Sequence, residues 1–241
     1  MPTRFRFLTL AVSFLALAAV CAAARVSAQL VEGRDYRAIT PARPTSSPGK
    51  IEVMEFFSYA CPHCAKFNPL VSAWVAREPK DVAFKRVAVS YGRPQWMNLA
   101  RTYYALESTG SLKKLDAALF RAIHDEHQNL FDEQSISDWV GKQGGDATAF
   151  ANAYVSFGVN NQTVQADQLA EDFAVDAIPT LAVNGRYVVI SPTQAADEEQ
   201  TFRELLVLAD KVIAMARASA PKAAAGAPSA AAPKTSAPKQ H

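Results

Sequence analysis

The sequence lacks a strong excess of charge of either sign. Its 241 residues include 25 Lys and Arg against 23 Asp and Glu, a formal net charge of +2. Residues 29–217 alone carry 19 basic and 23 acidic residues, which argues against nucleic-acid binding as the main role. The chain also lacks internal repeats and the biased composition of collagen, coiled coils or disordered proteins. With 49% hydrophobic residues it predicts one or two globular domains.

Both ends of the chain differ from its body. Residues 1–28 have a basic start, an apolar run and a small-residue Val26-Ser27-Ala28 end, which predicts a secretory signal peptide cleaved after Ala28. A transmembrane anchor is the alternative interpretation of this run. Residues 218–241 are rich in Ala, Pro, Lys and Ser and contain no large apolar residue, so we predict a disordered tail.

The body begins with a predicted strand–helix–strand unit. The apolar run Ile51 to Phe57 predicts a strand buried on both faces, and Val82 to Val89 predicts a second strand parallel to it. Between them a helix should start at Cys61-Pro62, with its apolar positions at helical spacing and a kink at Pro69. A short edge strand is expected between Gly33 and Thr40.

The second half of the body predicts a block of helices followed by two strands and a last helix. Helical patterns run from Pro94 to about Phe173, and we expect Ser135 to cap one of these helices. Asn184-Gly185 between two apolar runs predicts a β-hairpin. The last helix should bury an apolar face that begins at Phe202.

Only three cysteines are present. Two of them are the first and last residues of the motif Cys61-Pro62-His63-Cys64, which follows a predicted buried strand. In that position Cys61 faces the free N–H groups and the positive end of a helix, which favour the thiolate and lower the pKa of Cys61. Pro62 suits the first helical position, and His63 adds a positive charge or a donor. We therefore expect Cys61 to be the exposed, attacked sulfur and the more buried Cys64 to resolve it.

Two other interpretations of this motif are less favoured. A structural zinc site usually needs four ligands, and no second cysteine pair follows the predicted cleavage site, so no metal is expected. An inert disulfide would close a loop of only a few residues and constrain the unfolded chain little. His124 and His127, three residues apart in a helical stretch, are interpreted as part of a solvated helix face.

Two further features complete the candidate site. Glu55 lies within an apolar strand, where a carboxylate is costly unless paired, so Lys85 or Arg86 on the next strand should be its partner. The pKa of a buried Glu55 near the cysteines would be raised, and Glu55 could exchange protons with them. Ile178-Pro179 precedes the hairpin, where a strand-start proline is tolerated.

The stretch from Glu55 to Cys64, with Ile178-Pro179 and the Val183 to Tyr187 hairpin downstream, resembles the DsbA family of periplasmic thiol:disulfide oxidoreductases, within the thioredoxin superfamily. The resemblance covers about residues 29–217. It implies an α/β thioredoxin-like fold, with parts at 29–91 and 169–217 and an inserted all-helical domain at 92–168. The sequence departs from the family pattern at two positions: Ala60 stands where many members have an aromatic residue, and Ala177 where many have a glycine.

The resemblance also implies roles and partners. Cys61 would be the nucleophile and Cys64 its disulfide partner, Pro179 a cis-proline facing them, Ile178 a backbone contact for substrate, and Glu55 the buried acid. The redox disulfide would serve in place of a cofactor. A monomer would oxidise exported proteins with free thiols, and a quinone-linked inner-membrane oxidase similar to DsbB would reoxidise it. A disulfide isomerase or reductant of the same fold, and a peptide-binding holdase using apolar surface around Trp96 and Tyr103, are the alternatives.

Overall fold

A computed structural model describes residues 29–219, so the predicted signal peptide and residues 220–241 lie outside the described part of the chain. Its centre is a five-stranded sheet with the strand order β1-β5-β4-β2-β3. The strands are β1 (Tyr36–Ala38), β2 (Ile51–Phe57), β3 (Val82–Ala88), β4 (Thr180–Val183) and β5 (Tyr187–Val189). Helix α1 (Pro62–Val75) connects β2 to β3, and α7 (Glu198–Ser219) follows β5.

The predicted strand–helix–strand unit is confirmed. Strands β2 and β3 pair in parallel, whereas β4 runs antiparallel to β2 on its other side. All seven residues of β2 are buried, as expected of a strand covered on both faces. Because α1 begins shortly after the interior strand β2 ends, its N-terminus is held at one end of the sheet.

The predicted hairpin is present and closes on a tight turn. Asn184 and Gly185 both have positive φ, 54° and 64°, which places the two central residues in the left-handed region that a two-residue hairpin turn requires. The Gly185 carbonyl accepts a hydrogen bond of 2.8 Å from the Arg43 N–H. The turn therefore fixes the loop that precedes β2 as well as its own two strands.

Five helices form the block between β3 and β4. They are α2 (Pro94–Ser108), α3 (Leu112–His124), α4 (Glu133–Lys142), α5 (Ala147–Tyr154) and α6 (Phe157–Asp172). Because α6 continues to Asp172, the predicted boundary at residue 168 falls inside a helix. Within residues 29–219, no helix has the length and apolar character needed to cross a membrane.

Two local predictions at helix ends are wrong. Asp132, not Ser135, caps α4, because its carboxylate accepts the Ser135 N–H at 2.9 Å while Ser135 lies within the first turn. Residues Ala218 and Ser219 belong to α7 rather than to the tail. Ala216 is buried against the core and Ser219 Oγ donates to its carbonyl at 3.1 Å, so packing carries the helix beyond the apolar pattern.

The sheet separates two clusters of buried apolar side chains. One joins the sheet to α1 and α7, where the Trp74 indole N–H also donates to Asp210 at 2.7 Å. The other joins the sheet to the helical block and includes both Cys61 and Cys64. The cysteines are thus part of the packing between the sheet and the inserted helices.

The Gly185 turn generates a stability prediction. A Cβ on Gly185 would lie 2.0 Å from the Arg43 carbonyl oxygen, whereas Gly49, with a similar φ of 73°, has open space around it. We expect Gly185→Ala to lower the free energy of unfolding by about 2–4 kcal/mol, because clash adds to the left-handed penalty. Gly49→Ala should cost about 1 kcal/mol. Urea denaturation of both variants measures the difference, and equal losses would contradict it.

Candidate active site

The dithiol lies where the chain passes from β2 into α1. Cys61 is the N-cap of α1 with extended dihedrals (φ −88°, ψ 117°), and Pro62 takes the first helical position. The Cys61 carbonyl accepts the first helical hydrogen bond, 3.1 Å from the Ala65 N–H. The Cys61 side chain is therefore beside the free N–H groups of the first turn, as the sequence predicts.

The two sulfurs differ in burial, although less than expected. Cys64 is 0% exposed and Cys61 is 4% exposed, so Cys64 is the more buried residue. The prediction of an exposed Cys61 is wrong, because the segment before β4 covers it. The Cys61 sulfur lies 3.7 Å from the Ile178 carbonyl oxygen, to which its thiol form donates.

The local environment separates the acidities of the two thiols. The pKa of Cys61 is lowered to about 6, first by the hydrogen bond from the Cys64 thiol and further by N–H groups of Cys64 and His63 and by the His63 charge, against the opposing effect of burial. Burial raises the pKa of Cys64 well above its ordinary value, and the Cys61 and Glu55 charges add to this. At neutral pH the reduced pair therefore holds one thiolate at Cys61 and one thiol at Cys64.

The Ile178-Pro179 segment lies beside the dithiol, and its peptide bond is cis. Pro179 immediately precedes β4, which pairs with β2, so the sheet holds this segment next to the start of α1. The structure thus brings together Cys61, Cys64, Ile178 and Pro179, which the sequence separates by more than a hundred residues.

Glu55 is fully buried and paired with Arg86, which settles the choice between the two basic residues of β3. The parallel register places Glu55 opposite Arg86, and the Arg86 Nε donates to the carboxylate at 2.7 Å. Lys85 faces the other side of the sheet and pairs with Glu52 at 3.1 Å. Burial raises the pKa of Glu55, while the Arg86 charge and hydrogen bond oppose that shift.

The buried pair continues into the helical block through residues that the sequence analysis missed. Arg86 Nη1 donates to both oxygens of Asp116 on α3 at 2.9 Å, and the Tyr59 hydroxyl donates to Asp116 at 2.6 Å. The Arg86 guanidinium also lies over the Phe57 ring, 3.7 Å from its centroid. The sequence offers one signal for the contacts of Asp116: this residue directly follows Leu115, which belongs to the apolar stripe of α3.

His124 is not part of a solvated face, so that interpretation is wrong for this residue. Its Nε2 lies 2.7 Å from the Tyr59 carbonyl oxygen, in the turn before Cys61, and its ring stacks on Phe120. His127 is exposed. Among residues 29–219, no group of three or more His, Cys, Asp and Glu side chains is placed to hold a metal ion.

His63 is exposed and faces the first turn of α7. Its Nδ1 contacts the Glu198 carboxylate, whose other oxygen accepts a hydrogen bond from Lys66 at 2.6 Å. The sequence analysis did not connect Glu198 to the dithiol. The apolar surface expected around Trp96 and Tyr103 is reduced, because Tyr103 is buried against Phe57.

Comparison with known proteins agrees with this fold. Residues 85–206 match the model of the DSBA-like thioredoxin domain family. The chain is 38% identical over 174 residues to the thiol:disulfide interchange protein DsbA of Burkholderia cepacia, covering 72% of this chain and 81% of that protein. It is 36% identical over 202 residues to DsbA of Pseudomonas syringae pv. tomato, covering 82% and 92%.

Solved structures show the same relationship. The crystal structure of Pseudomonas aeruginosa DsbA is 35% identical with a TM-score of 0.71, covering 79% of this chain and 96% of that one. The DsbA of Xylella fastidiosa is 33% identical with a TM-score of 0.70, covering 79% and 99%. A thioredoxin-like fold with a helical insertion and a cysteine pair at a helix start defines the class, dithiol oxidoreductases. Within that class the chain belongs to the DsbA family of thiol:disulfide oxidoreductases.

The buried charges generate a second stability prediction. Arg86→Met leaves the fully buried Glu55 carboxylate without a counter-charge, so we expect the free energy of unfolding to fall by about 3–5 kcal/mol. Arg203→Met, which removes an exposed pair with Glu199, should cost less than about 0.5 kcal/mol. Adding Glu55→Leu to Arg86→Met should recover part of the loss. Denaturant unfolding tests all three, and a small loss for Arg86→Met would contradict the pairing.

Proposed function

We propose that the protein donates the Cys61–Cys64 disulfide to reduced, newly exported proteins in the periplasm. The observation that carries this proposal is the position of Cys61 as the N-cap of α1 beside the fully buried Cys64 thiol, an arrangement that lowers the pKa of Cys61 to about 6 and raises that of Cys64. Stabilising the Cys61 thiolate stabilises the reduced protein, so the disulfide form is the stronger oxidant. It also makes Cys61 the better leaving group when a substrate resolves the intermediate.

The exchange takes place in two steps. A substrate thiolate attacks the Cys61 sulfur, the Cys61–Cys64 bond breaks, and Cys64 leaves with the bond's electron pair and takes up a proton. A second substrate thiolate then attacks the substrate sulfur of the mixed disulfide and releases the Cys61 thiolate. Two substrate thiols lose two electrons and two protons in total, and the enzyme dithiol gains the two electrons.

The neighbouring residues support this chemistry without taking part in bond exchange. Pro62 starts the helix that stabilises the thiolate, and the His63 charge adds to that effect. The Ile178 backbone, together with Pro179, offers an edge on which an extended substrate segment could lie beside Cys61. Buried Glu55 acts on the Cys64 thiol through its charge and is the candidate for proton exchange with it.

Turnover requires reoxidation of the dithiol, because each cycle leaves the enzyme reduced. The curated relatives are thiol:disulfide interchange proteins of the DsbA type, and this supports a membrane oxidase similar to DsbB as the electron acceptor. The same relatives support a periplasmic location, in agreement with the predicted signal peptide at residues 1–28. We propose that the protein acts as a monomer with no cofactor besides its disulfide and no nucleic-acid partner.

The decisive assay is oxidation of a reduced, unfolded peptide with two cysteines by the disulfide form of the protein. We expect one peptide disulfide per enzyme molecule consumed. Cys61→Ser and Cys64→Ser should both abolish the reaction, because neither variant can hold the disulfide. Offered a peptide that already carries a disulfide, Cys64→Ser should accumulate a mixed disulfide: its Cys61 thiolate attacks the peptide disulfide, one peptide thiolate leaves, and the resolving sulfur of Cys64 is gone. A Cys61→Ser variant that still protected the peptide from aggregation would indicate a holdase. Rapid reshuffling of a scrambled substrate by the reduced protein would indicate an isomerase.

The acidity of Cys61 generates a pH prediction for the reduced protein. A pKa of about 6 in the folded state lies below the unfolded value of about 8.5, so the thiolate contributes stability above pH 8.5 and that contribution is lost as the pH falls through 6. Relative to Cys61→Ser, the reduced protein should gain about 2 kcal/mol between pH 6 and pH 8.5. Parallel unfolding curves and the ultraviolet absorbance of the thiolate measure this. A midpoint near that of free cysteine would contradict the oxidant assignment.

A further inference from the structure

Three consecutive carboxylates stand at the start of α7, Asp197 just before the helix and Glu198 and Glu199 in its first turn, and their contacts differ. Asp197 accepts the Gln200 N–H at 2.8 Å and so caps its own helix. Glu199 pairs with Arg203 one turn further along α7. Glu198 alone faces α1, where one carboxylate oxygen contacts His63 Nδ1 and the other lies 2.6 Å from the Lys66 ammonium.

The Glu198 carboxylate thus places a negative charge on the side of His63 that faces α7. His63 is two positions after Cys61, and its positive charge helps to stabilise the Cys61 thiolate. The charged or titratable groups around this point are Cys61, Cys64 and Lys66 from α1, Glu198 and its neighbours from α7, and Tyr91 from the loop after β3. Of these, Glu198 is the carboxylate in direct contact with the imidazole.

We propose that Glu198 is a positioning residue that holds His63 against α7 and offsets its charge, and so limits how strongly the dithiol oxidises substrates. The proposal rests on the function proposed above, because it concerns the same Cys61 thiolate. The Glu198 carboxylate contacts both His63 and Lys66 near the start of α1. Its negative charge therefore weakens the positive electrostatic potential at the Cys61 sulfur. Removing that carboxylate frees the His63 imidazole from α7 and takes a negative charge away from the region of the sulfur, which should favour the thiolate further.

The contact spans 135 residues of sequence, so it couples the position of α7 to the chemistry at α1. The oxidising strength of the dithiol thus depends on a side chain that touches neither sulfur.

The test compares Glu198→Gln with the matched control Glu199→Gln, which removes the same charge from the next position of the same helix turn. Thermal unfolding first establishes that both variants are folded. Two quantities are then measured, the midpoint of Cys61 thiolate absorbance against pH and the equilibrium constant with glutathione at pH 7. For Glu198→Gln we expect the midpoint to fall by about half a pH unit and the equilibrium to move about threefold toward the reduced protein. Glu199→Gln should change both by less than about a third of that amount.

A double-mutant cycle with His63→Ser establishes whether the effect passes through the imidazole. The effect of Glu198→Gln should fall to less than half in the His63→Ser background. An unchanged or raised midpoint in Glu198→Gln, an equal shift in Glu199→Gln, or a full effect without His63 would each overturn the inference. A wild-type midpoint near that of free cysteine would instead overturn the proposed function, so the two failures are distinguishable.

Discussion

The burial of Glu55 in the interior strand β2 is the constraint on which the active-site geometry depends. A fully buried carboxylate needs a counter-charge, and Arg86 supplies it from the neighbouring strand while also reaching Asp116 of the helical block. Asp116 in turn accepts the Tyr59 hydroxyl, and His124 contacts the Tyr59 carbonyl. The sheet and the inserted helices therefore meet at the three-residue turn that ends at Cys61, and both determine where that sulfur lies.

Features that depend on neighbouring residues could be predicted from the sequence. The bounds of β2, the Asn184-Gly185 hairpin and the start of α1 at Cys61-Pro62 each follow from a pattern of ten residues or fewer. The order of strands and helices then indicated a parallel strand pair and a helical block that interrupts the sheet, and the resemblance to the DsbA family supplied the thioredoxin-like fold class. The lowered pKa of Cys61 followed in the same way from its position at a helix start.

Features that depend on distant contacts could not be predicted. Lys85 and Arg86 are adjacent and both basic, so only the register of β2 against β3 distinguishes the partner of Glu55. Asp132 and Ser135 are both suitable caps, and the choice depends on where packing lets the helix begin. The burial of Cys61, the role of His124 and the contact of Glu198 with His63 each join segments more than sixty residues apart.

The low solvent exposure of Cys61 affects which polypeptides can react with it. With the residue 4% exposed and the Ile178 carbonyl 3.7 Å from its sulfur, an incoming thiolate needs a line of approach to a sulfur that its neighbours largely cover. A substrate cysteine on a folded surface could reach Cys61 only if the residues around that cysteine moved away, whereas a cysteine on a mobile, extended segment could reach Cys61 directly. The flexibility of the substrate chain would then matter more than its local sequence. Polypeptides whose folding is less advanced would react in preference to those already folded.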